Sequence, residues 1–106
     1  MTEPSSVRLD RYVIDTLLPD LVGHDRQPSA ILVYLYLTAA ADADGGKAGR
    51  SLQTIADGTG LSKRAVQEAL RTLIRRKLVS ARKSRPTDLA VLTVHRPWRS
   101  RRAAAA

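Results

Sequence analysis

The amino-acid sequence predicts a mainly α fold with a small β-hairpin (α+β), built as a three-helix core plus an additional N-terminal helix. Three observations carry this expectation. Four segments read as helices, three with apolar side chains at one-face spacing and one apolar nearly all round. The last two of those segments are joined by a short turn that holds glycine. Two runs of strand-like residues follow, separated by a tip rich in turn formers. With 106 residues the chain makes one domain, and 43% apolar residues suffice for a modest core.

Residues 1–9 read as an arm. Residues 10–18 form the first helix, with Val13, Ile14, Leu17 and Leu18 on one face and Asp10 placed to cap it; Pro19 ends or kinks it. Residues 21–27, with Gly23, read as a connector. A second helix spans roughly residues 29–41. Its run Ile31-Leu32-Val33-Tyr34-Leu35-Tyr36-Leu37 is apolar nearly all round. Such a helix is either the centre of the core or partly a surface for a second copy. Gly45-Gly46-Lys47-Ala48-Gly49 reads as a flexible connector. Ser51 caps a short helix over residues 52–57, and Gly58-Thr59-Gly60 breaks it. Ser62 caps a longer helix reaching about Lys77, with Val66, Leu70, Leu73 and Ile74 as its apolar stripe. Residues 78–83 and 89–95 are hairpin strands around the tip Ser84-Arg85-Pro86-Thr87-Asp88. Residues 96–106 form a basic tail carrying Trp98.

A short helix, a glycine turn and a second helix have helix-turn-helix spacing. Ala56 is small where the two helices touch, Gly60 sits where positive φ is cheap, and Leu61 and Val66 wedge the interhelical angle. A hairpin after such a pair makes a winged helix. Through Ile55-Ala56, Thr59-Gly60-Leu61-Ser62 and Val66 to Leu73, residues 51–79 resemble the bacterial winged helix-turn-helix family. Through Val13-Ile14-Asp15, Leu17-Leu18-Pro19, Leu21 and Val33-Tyr34-Leu35-Tyr36-Leu37, residues 10–37 resemble helix-turn-helix modules that open phage and plasmid replication proteins. The resemblances imply a winged helix-turn-helix domain over residues 10–95 whose partner is double-stranded DNA.

Charge points to the same partner. The chain carries 18 basic and 10 acidic side chains, a net charge of +8. Residues 1–50 hold five basic against seven acidic side chains, and residues 51–106 hold thirteen against three. This asymmetry reads as an electrostatic footprint on the C-terminal half. On a helical wheel, Arg64, Glu68, Arg71 and Arg75 lie away from the apolar stripe, flanked by Lys63 and Gln67. Lys63, Arg64, Gln67 and Arg71 are the expected base readers, since Arg matches guanine O6/N7 and Gln matches adenine N6/N7. Ser51, Gln53, Thr54, Ser62, Arg75, Arg82, Lys83 and Arg85 are the expected backbone contacts, at helix N-termini and beside the wing tip. Glu68 equally suits an ion pair with a neighbouring arginine. The tail arginines Arg96, Arg99, Arg101 and Arg102 either track phosphates or solubilise the chain end.

Other function classes find little here. Cysteine is absent, which excludes disulfides and thiolate metal sites and suits a reducing cytoplasm. No run of eighteen apolar residues exists and residues 1–6 are polar, so neither a membrane span nor a signal peptide is expected. Four aromatic residues with no Phe offer little base stacking. His24 and His95 lack a partner at metal spacing, and no phosphate loop, nucleophile or cofactor fingerprint occurs. The expectation is therefore a cytoplasmic, nucleoid-associated transcriptional regulator without enzyme activity, metal or cofactor. No small-molecule ligand is inferable. It is expected to act as a homodimer through Val13, Leu17, Ile31, Tyr34 and Leu35. A docking module of a replication or plasmid-partition protein, and a winged helix that binds protein alone, are the alternatives.

Overall fold

The computed structural model describes residues 6–43, 47–83, 85 and 90–99. A helical path runs over residues 11–24, most of it π-helical, at Val13–Leu17 and Asp20–His24. Of the two alternatives at Pro19, the helix does not end there, and one expectation is corrected: most of residues 21–27 is helical rather than a connector. The Leu18 N–H bonds the Val13 carbonyl and the Asp25 N–H bonds that of Asp20, each five residues back. Proline has no N–H, and its ring crowds the carbonyl four residues behind. Wider turns on either side of Pro19 relieve that crowding, so the chain passes through it with ordinary helical dihedrals of −65° and −32°. The Asp10 side chain does not cap this helix; it turns to Trp98 and Arg99 instead.

Helix α1 (Pro28–Ala43) lies at the centre. It packs on the π-helical segment, on α2 (Leu52–Thr59), on α3 (Lys63–Arg75) and on the sheet. Of the two readings of its apolar run, the central-core one is observed. Val13, Leu17, Ile31 and Tyr34 are buried by the chain itself and Leu35 packs partly buried against them. The residues expected to form a seam between copies are thus core residues. What supplies the extra cover is the C-terminal segment. The Tyr34 hydroxyl donates to the His95 carbonyl at 2.9 Å, and burial pushes that phenol up to about 12, so it stays neutral.

The sheet has three antiparallel strands in the order β1-β3-β2, with β1 at Lys47–Ala48, β2 at Val79–Arg82 and β3 at Val91–Val94. Lys47-Ala48, expected as a flexible connector, pairs with Thr93 and Leu92 and buries the Ala48 side chain. The hairpin register sets Val79 opposite Val94 and Arg82 opposite Val91. Leu92 and Val94 share the inward face, and on β2 Val79 is buried while Ala81 is exposed. A helical turn at residues 97–99 brings Trp98 onto Tyr12, with ring centroids 4.6 Å apart and planes 16° from parallel. The expected tail therefore begins with a docked segment. No helix among the described residues is long and apolar enough to cross a membrane.

Candidate nucleic-acid interface

The helix pair forms by local chemistry. Ser51 Oγ accepts from the Thr54 N–H and Ser62 Oγ from the Ala65 N–H, each at 3.1 Å, so both expected caps are in place. Helix α2 runs through Gly58 to Thr59 instead of breaking at Asp57. The stop is Gly60, at φ +80°, whose N–H bonds the Ala56 carbonyl at 2.8 Å. Thr59 Oγ1 donates to the Ile55 carbonyl and accepts from the Leu61 N–H, which fixes the turn. Helix α3 ends at Arg75, two residues before the expected Lys77. Lys77, at φ +60°, sends its N–H to Ile74, and the Leu78 N–H returns to Leu73, which closes the helix and starts β2.

The face of α3 differs from expectation in one respect. Its buried residues are Val66, Ala69, Thr72 and Leu73; Leu70 is half-buried and Ile74 is 44% exposed. The buried stripe thus runs through Ala69 and Thr72 and passes Ile74 by. Outward stand Lys63, Arg64, Gln67, Arg71 and Arg75, all exposed. Arg64 Nε meets Glu68 Oε1 at 3.3 Å in an exposed i,i+4 pair. Such a pair is worth about 0.3–0.5 kcal/mol and leaves Arg64 recruitable by a stronger anion. Gln53 donates to Asp57 at 2.8 Å, while Ser51 Oγ and Thr54 Oγ1 lie 2.9 Å apart. Arg82, Lys83 and Arg85 are exposed along and beyond β2. Ser84, Pro86, Thr87 and Asp88 of the expected tip lie outside the described residues, as do Gly45, Gly46, Arg101 and Arg102.

A cleft of about 330 Å³ joins these parts. Arg50, Ser51 and Gln53 line it from the start of α2, Lys63 and Leu70 from α3, and Lys83, Ala90 and Leu92 from the wing. Cations from three chain regions thus border one groove. Arg50 was missed by sequence reasoning; its signal was a basic residue directly before a capping serine. Not every expected cation belongs here. Arg96 lies 3.5 Å from Asp42, and Arg99 binds both oxygens of Asp10 at 2.7 and 2.8 Å. Arg76 turns inward to Asp20 at 3.2 Å and to Asp25 at 3.5 Å. Among the described residues no group of three His, Cys, Asp or Glu side chains is placed to hold a metal.

The family model described as a helix-turn-helix domain matches residues 27–79. That span covers α1, β1, α2 and α3 up to the start of β2. No curated protein and no solved structure matches the chain.

Proposed function

The chain belongs to the helix-turn-helix domain family, and on that premise we propose that it is a sequence-specific binder of double-stranded DNA, acting as a transcriptional regulator in the cytoplasm on the chromosome. The single observation that supports this most is the outward face of α3, where Lys63, Arg64, Gln67, Arg71 and Arg75 all stand exposed beside the cationic cleft. In this reading α3 enters the major groove. Lys63, Arg64, Gln67 and Arg71 meet base edges, because they stand on or beside the outward face of the helix. Arg50, Ser51, Gln53, Thr54, Ser62 and Arg75 meet phosphates beside it, and Arg82, Lys83 and Arg85 reach flanking backbone or minor groove. Two copies on neighbouring half-sites supply the affinity that one small reading head lacks.

A duplex enriched by the protein from a randomised library tests this. Six to ten phosphate contacts imply an affinity loss of roughly 10³–10⁵ between about 50 and 200 mM salt. Affinity that is flat across that range, or enrichment of no sequence, would remove the reading.

A further inference from the structure

Ile74 is the large hydrophobic residue of α3 that remains exposed, at 44%, on a helix whose other outward residues are charged or amide-bearing. At about 100° per residue it stands only about 20° around the helix from Gln67 and about 60° from Arg71. It therefore belongs to the reading face. The buried face of α3 is made without it, by Val66, Ala69, Thr72 and Leu73. Leu70, one turn earlier and half-buried, continues the apolar character toward Ala90 and Leu92 in the cleft.

An apolar side chain facing a major groove finds one apolar group on the base edges, the C5-methyl of thymine. We propose that Ile74 reads a thymine methyl group, so that the preferred site carries a T about three base pairs from the pair that Gln67 contacts. The spacing follows from seven residues at about 1.5 Å each, against about 3.4 Å per base pair along one strand. The inference rests on the DNA-binding reading above and adds a specificity-determining residue to it. Because Ile74 is uncharged, its contribution is independent of salt, unlike that of every arginine around it.

The test replaces each thymine of the enriched duplex by deoxyuridine in turn, which removes a methyl group and leaves every hydrogen-bonding edge intact. Wild-type protein should lose about fourfold in affinity at one such position, the scale of one buried methyl group. Ile74→Ala should bind the dT and dU duplexes alike, while keeping the wild-type helical spectrum and the loss caused by changing the Gln67 base pair. Selective binding by the wild type with no dU-sensitive position overturns the inference and leaves DNA reading intact. A dT-over-dU preference that persists in Ile74→Ala overturns it too. So does an Ile74→Ala protein with unchanged DNA affinity and altered sedimentation, which would assign the side chain to a protein contact. Failure of any duplex to be enriched removes both readings together.

Discussion

Two glycines in one helix-turn-helix do different work, and substitution separates them. A methyl group on Gly58 would overlap the Tyr36 ring, most severely at Cε1, with Cζ 2.9 Å from the ideal position. The bare backbone is what lets α2 approach α1. Gly58→Ala should destabilise by about 1–3 kcal/mol through overpacking, partly offset by alanine's better helix propensity of about 1 kcal/mol. In a Tyr36→Leu background the same change should be neutral or stabilising in urea denaturation; an equal loss in both backgrounds would show the ring is not the cause. Gly60 has open space around it but a φ of +80°. Gly60→Ala should cost about 1–2 kcal/mol through backbone strain, with no rescue by Tyr36→Leu. At the interface the expected division is between specificity and affinity. Arg71→Ala should cost about 1–3 kcal/mol on the preferred duplex and relax one position of the motif. Lys83→Ala should weaken all duplexes by similar factors and make the salt slope shallower by about one. If Arg71→Ala left the specificity ratio unchanged, a different face of α3 reads the bases.

Between elements, the chain ends are clasped by one carboxylate. Asp10 accepts from Trp98 Nε1 at 2.7 Å and from two nitrogens of Arg99, while Tyr12 stacks on the Trp98 ring. Arg99, then Trp98, hold the Asp10 carboxyl far below its ordinary value, against a smaller opposing effect of burial. A carboxyl depressed in the folded state stabilises above its unfolded pKa of about 3.9, and that contribution fades as pH falls below it. Asp25, lowered by His24 and then by Arg76 despite its burial, acts in the same acid window. Trp98 is the sole tryptophan, so its emission reports the clasp. The spectrum should hold from neutral pH down through about 4, because the clasped carboxyl protonates only well below its ordinary value, and shift to the red only in stronger acid. Asp10→Ala should already be red-shifted at neutral pH; an Asp10→Ala spectrum identical to wild type would show the stacking needs no clasp. None of this was legible in sequence, because residues 88 positions apart carry no local pattern. The helix-turn-helix was legible, since caps, a turn glycine and a 3–4 spacing are local signals. Strand β1 was not: two residues cannot show alternation, and its partner Leu92-Thr93 lies far along the chain. The π-helical turns stayed hidden because apolar residues four apart, Val13, Leu17 and Leu21, suit either winding. Ile74 was misassigned because position on a wheel cannot show which neighbour fixes the helix rotation.

Across the whole molecule, the opposite charges of the two halves play two roles that a net charge cannot separate. Arg76, Arg96 and Arg99 from the basic half meet Asp20, Asp25, Asp42 and Asp10 from the acidic half. These cations bridge the two halves within the fold. Lys63, Arg64, Arg71, Arg75, Arg82, Lys83 and Arg85 stand outward and are the cations assigned to the proposed footprint. The same closing of the fold bears on assembly. With Val13, Leu17, Ile31 and Tyr34 inside the chain's own core, the apolar residues exposed on the N-terminal π-helical path are Ile14, Leu18 and Val22. Together with Val7, Leu9 and Leu32 they make six side chains, each 37–49% exposed, which still fall short of the roughly 1,200–2,000 Å² that a stable pair buries. The free protein should therefore sediment as a monomer at micromolar concentration. Pairing should occur on DNA, where two half-sites about 34–36 Å apart set two copies on one face of the duplex and raise their local concentration. A duplex carrying both half-sites should take up two copies cooperatively, and inserting about five base pairs between them should abolish the cooperativity while leaving each site's own affinity. A dimer in the absence of DNA would mean that the Ile14–Leu18–Val22 row joins a larger surface. Independent binding at both spacings would mean that each copy reads its site alone.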